Sequence, residues 1–152
     1  MVYLCSPATD FKRGKLRNFN DWIMKFENAN VLITGGASGI GKIMGRMALE
    51  RGAKHFIIWD INPAAIEQTR TEIGRFGRTK GYVVDVANND IVTAAYHKTV
   101  EECGPIDILI NCAGIVTSNK TFDQQTPEEI VRTMNINAIA PMFVARAMLP
   151  DM

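Results

Sequence analysis

A glycine-rich segment directly after a short apolar run has the strongest chemical signature in the chain: residues 34–41, TGGASGIG. Gly35 permits a tight turn off a strand, and Gly39, which lacks a Cβ atom, lets the backbone approach a ligand. Gly41 allows the next helix to pack closely on the sheet. Because that helix begins with free N–H groups and a partial positive charge, it attracts anions. The segment therefore predicts a site for a dinucleotide pyrophosphate, formed by Thr34, Gly35, Ser38, Gly39, Ile40 and Gly41. The alternative is a glycine-rich turn without a ligand.

An aspartate follows the next apolar run, 19 residues after Gly41. A carboxylate at the end of a second strand can accept hydrogen bonds from the hydroxyls of an adenine ribose. The same charge repels a 2′-phosphate, at about 4 kcal/mol for two unit charges roughly 4 Å apart near a protein surface. No Lys or Arg lies within the turn or directly after Asp60. The sequence therefore favours NAD over NADP, with a helix-capping or loop aspartate as the alternative role of Asp60.

These residues need a sheet to position them, and the chain around them alternates strand and helix patterns. Apolar runs predict strands at residues 31–33, 55–59, 82–84 and 106–110, and helices at 40–51, 62–75, 91–103 and 126–148. Near-continuous apolar strands are typical of a sheet that helices cover on both faces. Strands that alternate with helices require crossovers and hence parallel pairing. We predict an α/β fold, a Rossmann-type doubly wound parallel sheet of about four strands, in a domain over residues 29–152.

Residues 1–28 differ from this domain because they are basic and carry a second pattern. Apolar side chains recur there at three- and four-residue spacing: Leu16, Phe19, Trp22, Ile23 and Phe26. The spacing predicts a short amphipathic helix. We interpret it as an N-terminal arm whose apolar stripe packs on the domain. Basic and aromatic residues around one apolar face also suit a helix lying in a membrane surface, and a disordered segment is the third alternative.

Composition narrows the function classes. The 152 residues are 47% hydrophobic and 22% charged, with a net charge of +1, which gives no bulk field to attract nucleic acid. Three cysteines without CxxC spacing predict neither a disulfide framework nor a metal site. We therefore expect reduced thiols and a cytoplasmic location, with membrane association through residues 1–28 left open. Cys112 is interpreted as a small core residue, with a reactive thiol as the alternative; His55 and His97 are interpreted as surface or packing residues.

The spacing Thr-Gly-x-x-x-Gly-x-Gly resembles the classical branch of the short-chain dehydrogenase/reductase family. Further places match that family's motifs: Asp85-Val86, Asn111-Cys112-Ala113-Gly114, Asn137 and Leu149-Pro150. The resemblance covers residues 29–152. Within the family, residues 57–62 and the basic arm are similar to the retinol and 17β-hydroxysteroid dehydrogenase-like group.

The resemblance implies roles for these residues. Asp85 and Val86 would contact the adenine, while Asn111, Ala113 and Gly114 would lie against the cofactor at the carboxyl edge of the sheet. Asn111 has a structural alternative, in which its amide cross-links neighbouring strands. Asn137 is matched to the catalytic asparagine, which holds a water in a proton relay. Its alternative is a buried polar residue that bends the helix. Asn135 competes for the match, but the distance to Pro150 favours Asn137.

The family's chemistry also needs a Ser and a Tyr-x-x-x-Lys pair. Tyr3, Tyr82 and Tyr96 are followed four residues later by Pro, Val and Val. The resemblance places the missing pair after Leu149-Pro150. We therefore expect these residues to be the N-terminal portion of a longer NAD-dependent oxidoreductase, acting on an alcohol or ketone such as a retinoid, steroid or other lipid. We expect that protein to be a homo-oligomer. Alone, the chain is expected to be inactive and marginally stable, with strand 106–110 at an unpaired edge. The alternative function is a non-catalytic nucleotide-binding or interaction module.

Overall fold

Strands and helices alternate along the computed structural model, which describes residues 2–5, 25–116 and 120–151. The strands are β1 (Val2–Cys5), β2 (Asn30–Thr34), β3 (His55–Asp60), β4 (Arg78–Val83) and β5 (Ile108–Asn111). The helices are α1 (Gly39–Glu50), α2 (Pro63–Ile73), α3 (Asn89–Cys103), α4 (Pro127–Met134) and α5 (Ala140–Met148). The four predicted strands and the four predicted helical regions are therefore present.

The sheet has the order β1-β5-β2-β3-β4. Strands β2 to β5 pair in parallel, and this confirms the Rossmann-type sheet of four parallel strands. The expectation of an unpaired edge at residues 106–110 is wrong, because β1 pairs antiparallel with β5, with Val2 opposite Asn111. Backbone hydrogen bonds to β1 occupy the edge that the sequence left open. Residues 6–24, which carry most of the predicted amphipathic helix, lie outside the described residues.

Alternate side chains of the strands enter two apolar layers, one on each face of the sheet. Leu32, Ile57 and Leu109 face α3 and α5. Their neighbours in sequence enter the other layer, which contains residues of α1 and α2 and against which Phe26 packs. This two-sided burial explains the near-continuous apolar runs, since each fully buried aliphatic side chain stabilises the fold by about 1.5–3 kcal/mol.

Local signals set the helix ends. Asn62 caps α2 by accepting a hydrogen bond from the Ala65 N–H, and Pro63 occupies the first position. Thr126 and Glu129 form a capping box at α4. The predicted helix 126–148 is interrupted by a π-helical segment, Asn135–Ile139, which joins α4 to α5. In the described residues, no helix has the length and apolar character needed to cross a bilayer.

A polar network holds the opposite end of the sheet, at the start of β2 and β3. The Asn30 amide donates to the carbonyls of Cys103 and Pro105, so its Oδ1 must accept from His55 Nδ1, 2.8 Å away. His55 is buried and His97 is exposed, so His55 is a packing residue. Burial, together with the nearby charges of Lys54, Arg78 and Lys80, lowers the pKa of His55 below its usual value.

This lowered pKa predicts a loss of stability in mild acid. Unfolded His55 takes up a proton near its ordinary pKa of about 6.5, whereas the folded form binds that proton more weakly. The stabilisation is complete above pH 6.5 and falls as the pH drops from there towards the folded-state pKa. The urea midpoint should therefore be lower at pH 5 than at pH 7, measured by circular dichroism. His55→Gln should reduce this dependence and His97→Gln should retain it; equal behaviour of the two variants would contradict the assignment.

Candidate functional site

A cleft of about 410 Å³ opens at the carboxyl ends of the parallel strands. Ten of the predicted site residues line it: Gly35, Ser38, Gly39, Ile40, Gly41, Asp60, Asp85, Val86, Ala113 and Gly114. In doubly wound sheets, ligands bind at this edge. The structure therefore brings together segments that lie up to 79 residues apart in sequence, from Gly35 to Gly114.

The glycines of the turn face different surroundings. At Gly35 (φ 65°) an added Cβ would lie 2.8 Å from the Ala113 Cα, so the turn packs directly on the end of β5. At Gly41 it would lie 2.4 Å from the Gly35 carbonyl oxygen. This contact shows that Gly41 packs α1 directly on the turn. Gly39 (φ 49°) has no atom within 4 Å of the Cβ position, so its backbone is open to a ligand.

The close approach of α1 to the sheet depends on a glycine that the sequence analysis did not select. A Cβ added to Gly45 would lie 2.2 Å from the Phe56 ring of β3. The available signal was a glycine inside a helical pattern, four residues after Gly41, where it weakens a helix unless packing requires it.

The first turn of α1 is suited to an anion. Ser38 is the N-cap in an extended conformation, its side chain forms no capping hydrogen bond, and no acidic residue occupies the first turn. The helix dipole and the free N–H groups there are therefore not neutralised by the helix's own side chains. Because Ser38, Gly39 and Ile40 are exposed along the cleft, these donors can be reached by a pyrophosphate.

The Asp60 carboxylate is fixed in place by the backbone. Its Oδ2 accepts a hydrogen bond from the Ala37 N–H, and its Oδ1 accepts one from the Asn62 N–H, each at 3.1 Å. A carboxylate oxygen has a second lone pair, so both oxygens can still accept from ribose hydroxyls. The turn is tied down further, since Thr69 donates to the Ala37 carbonyl at 2.7 Å.

Two predicted residues lie behind the cleft and do not line it. Thr34 is buried, and its Oγ1 accepts hydrogen bonds from the Cys112 and Ala113 N–H groups at 3.1 and 3.2 Å. Thr34 thus positions the end of β5. Asn111 is also buried, but its Nδ2 has no hydrogen-bond partner. The structure therefore shows no cross-link between strands from this Nδ2 donor.

Asn137 holds the loop that leaves β5. Its Oδ1 accepts a hydrogen bond from the Ile115 N–H at 2.9 Å, and its Nδ2 donates to the Ile115 carbonyl at 2.8 Å. Asn137 lies in the π-helical segment and is exposed, so the alternative of a buried polar residue is wrong. It does not line the cleft, but it fixes a residue that does. Among the described residues, Asn135 forms no hydrogen bond to Ile115. This difference favours Asn137 over Asn135 as the match to the family's asparagine.

Asn137→Ala should loosen this loop without unfolding the domain. The substitution removes two hydrogen bonds, each worth about 1 kcal/mol net, from one exposed segment. Amide exchange at Ile115 should therefore accelerate by on the order of 10-fold, measured by NMR hydrogen exchange. Asn135→Ala is the matched control and should leave that rate unchanged. A wild-type exchange rate at Ile115 in the Asn137→Ala variant would show that the two Asn137 hydrogen bonds do not hold the loop.

The cleft also contains residues that the sequence analysis missed. They are Trp59, Ile61, Val84, Ile115, Arg132 and Ile136. Cys112 lines the cleft as well, and burial raises the pKa of its thiol, which disfavours the reactive thiolate. A second cavity, of about 480 Å³, adjoins the cleft beside α4. Within the described residues, no cluster of three or more His, Cys, Asp or Glu side chains could hold a metal ion.

Comparisons with known proteins agree on one family. A family model described as short chain dehydrogenase matches residues 29–152. Estradiol 17-beta-dehydrogenase 11 of Rattus norvegicus is 34% identical over 123 residues, which cover 80% of this chain and 41% of that protein. Short-chain dehydrogenase/reductase 3 of Homo sapiens is 32% identical over 124 residues, covering 81% of this chain and 41% of that protein.

Solved structures agree as well. A 3-ketoacyl-(acyl-carrier-protein) reductase from Brucella melitensis, complexed with NADH, superposes with a TM-score of 0.76 at 30% identity. The match covers 82% of this chain and 50% of that one. The chain thus spans about two fifths of the length of these curated relatives, 41%, and half of this solved structure.

Proposed function

The chain belongs to the short-chain dehydrogenase family, and from that premise we propose that it is the NAD-binding part of an oxidoreductase that acts on an alcohol or ketone. The observation that carries the proposal is the pairing of two features in one cleft. The free N-terminus of α1 suits a pyrophosphate, and the Asp60 carboxylate suits an adenine ribose. Because Gly39 leaves open space where a side chain would stand, the described residues fit a dinucleotide.

The residues divide the binding between them. The first-turn N–H groups of α1 hold the pyrophosphate, and Asp60 holds the ribose while it repels a 2′-phosphate. Asp85, whose Oδ1 accepts from the Ala87 N–H, offers its carboxylate to the adenine amino group beside Val86. When bound, the nicotinamide supplies the hydride donor or acceptor. We propose a steroid, retinoid or other lipid as the substrate class, and the names of the curated relatives, which include estradiol 17-beta-dehydrogenases, support the steroid among these.

Trp59 provides a direct test of cofactor binding. Trp59 lies beside the cleft, and its buried indole donates to the Thr99 hydroxyl at 3.1 Å, so a bound reduced nicotinamide dinucleotide would lie within energy-transfer distance of it. The chain has two tryptophans, so the titration uses a Trp22→Phe background. Addition of NADH should quench tryptophan emission saturably and excite nicotinamide fluorescence. The doubly substituted Trp22→Phe/Trp59→Phe chain contains no tryptophan and provides the blank. NADH binding detected by isothermal titration calorimetry without quenching of Trp59 emission would place the cofactor elsewhere.

Turnover separates the proposal from a non-catalytic module. The family resemblance implies a catalytic Ser and a Tyr-x-x-x-Lys pair. None of Tyr3, Tyr82 and Tyr96 is followed four residues later by a lysine. We therefore expect the 152 residues alone to bind NADH without oxidising alcohols, measured as NADH formation at 340 nm. Alcohol oxidation by this chain would overturn the expectation. A native-source protein of 16.9 kDa that binds NADH without turnover would favour the module.

A further inference from the structure

The second cavity shares one wall with the cleft. The shared residues are Ile61, Asp85, Arg132 and Ile136, and no residue of the glycine-rich turn lines the second cavity. Asp85 is the residue that we assign to the adenine. The shared wall therefore lies at the adenosine end of the proposed dinucleotide site, away from the pyrophosphate.

Arg132 is the unusual member of this wall. Among the described residues that line either cavity it is the sole cationic side chain, and the acidic ones are Asp60, Asp85 and Glu128. Within the described part of the chain, no ion pair engages its guanidinium, although Arg46 and Arg70 each pair with a glutamate on their own helix. A cation that faces a cleft without a protein partner is available to a ligand.

Glu128, the expected partner of Arg132, forms no ion pair with it in the described part of the chain. Glu128 precedes Arg132 by one helical turn, and a Glu–Arg pair at this spacing normally stabilises a helix. The neighbouring Thr126 side chain lowers the pKa of Glu128. Without an ion pair to Glu128, the Arg132 guanidinium remains at the boundary of the two cavities.

We propose that the Arg132 guanidinium stacks on the adenine ring of the dinucleotide and determines affinity at that end of the site. A guanidinium is planar, weakly hydrated and attracted to the face of an aromatic ring. Ile61, which is 67% exposed, and Ile136 offer apolar contacts to the same ring. Pairing of Arg132 with a 2′-phosphate is disfavoured. Arg132 and Asp85 line both cavities, whereas Asp60, which we assign to the ribose, lines the cleft but not the second cavity. The proposal rests on the NAD site proposed above.

Arg132→Met tests the proposal, because Met keeps an unbranched apolar stem and removes the planar cation. The matched control is Arg146→Met, an exposed arginine in the last turn of α5. Binding of NADH and of NADPH is measured in separate titrations by Trp59 energy transfer, and ADP-ribose and nicotinamide mononucleotide are measured as competitors of NADH. We expect the dissociation constants of NADH and ADP-ribose to rise roughly 3- to 10-fold in Arg132→Met. That of nicotinamide mononucleotide should not change, and Arg146→Met should match the wild type.

The outcomes separate this proposal from the proposed function. If the wild type binds NADH and Arg132→Met binds it equally tightly, the stacking role is wrong and the NAD site stands. A loss confined to NADPH would mean that Arg132 pairs with a phosphate, and this too would overturn stacking. If the wild type binds neither NADH nor ADP-ribose, both proposals fail together.

Discussion

Gly41→Ala is expected to weaken NADH binding at least 100-fold and to lower the free energy of unfolding by about 2–3 kcal/mol. The added Cβ would lie 2.4 Å from the Gly35 carbonyl oxygen and 3.0 Å from its carbonyl carbon. These are backbone atoms, so no side-chain rotation can relieve the contact. Either α1 moves away from the turn or the turn opens, and both changes displace the N–H groups that face the cleft. Urea denaturation and NADH titration measure the two effects.

Two other glycines provide controls for this substitution. Gly74, in the 3-10 turn after α2, has φ −55° and no atom within 4 Å of the Cβ position. Gly74→Ala should therefore be neutral or stabilise the chain by up to about 1 kcal/mol. Gly39→Ala should fold, at a cost of about 1–2 kcal/mol for a positive φ, but bind NADH poorly, since its Cβ would enter the cleft. If Gly41→Ala behaves like Gly74→Ala, the packing of the turn does not set the site.

The parallel strands could be predicted because buried strands have locally apolar sequences. β2, β3 and β5 have buried side chains on both faces and therefore give apolar runs. β4 begins at Arg78, four residues before the predicted start at 82, because an edge strand tolerates the polar Arg78 and Lys80. β1 was missed, since its pairing depends on β5, which lies about 100 residues away, and no local pattern encodes that contact.

The candidate site divides in the same way. The glycine-rich turn could be predicted because one contiguous segment supplies the strand end, the turn and the helix start. Arg132 and Ile136 reach the cleft only through the docking of α4 and of the π-helical segment that follows it, which the apolar period of the sequence does not reveal. Thr34 was predicted as a cofactor-binding residue, but it positions the end of β5 instead. Its hydroxyl accepts hydrogen bonds from backbone N–H groups 78 and 79 residues further along the chain, and no local pattern reveals that contact.

Asp60 is the residue that should decide between NAD and NADP. Both of its oxygens accept backbone hydrogen bonds, so the carboxylate cannot swing away from an incoming 2′-phosphate without breaking them. The uncharged isostere Asn removes the repulsion, but it also replaces one accepting oxygen by an NH₂ group. That group cannot accept from a ribose hydroxyl or from a backbone N–H. The substitution therefore affects the two cofactors in opposite directions.

Asp60→Asn should raise the dissociation constant of NADH by about 10- to 100-fold, as expected when a charged hydrogen-bond acceptor is lost. NADPH should bind no worse than it binds the wild type, because a repulsion of up to about 4 kcal/mol is removed. Separate direct titrations with NADH and with NADPH, each read by Trp59 energy transfer, give both constants. Asp90→Asn, an exposed aspartate in the first turn of α3, is the control and should change neither. An unchanged ratio of the two dissociation constants in Asp60→Asn would reduce Asp60 to a loop-stabilising residue, because a carboxylate that contacts the ribose cannot lose its charge without altering that ratio.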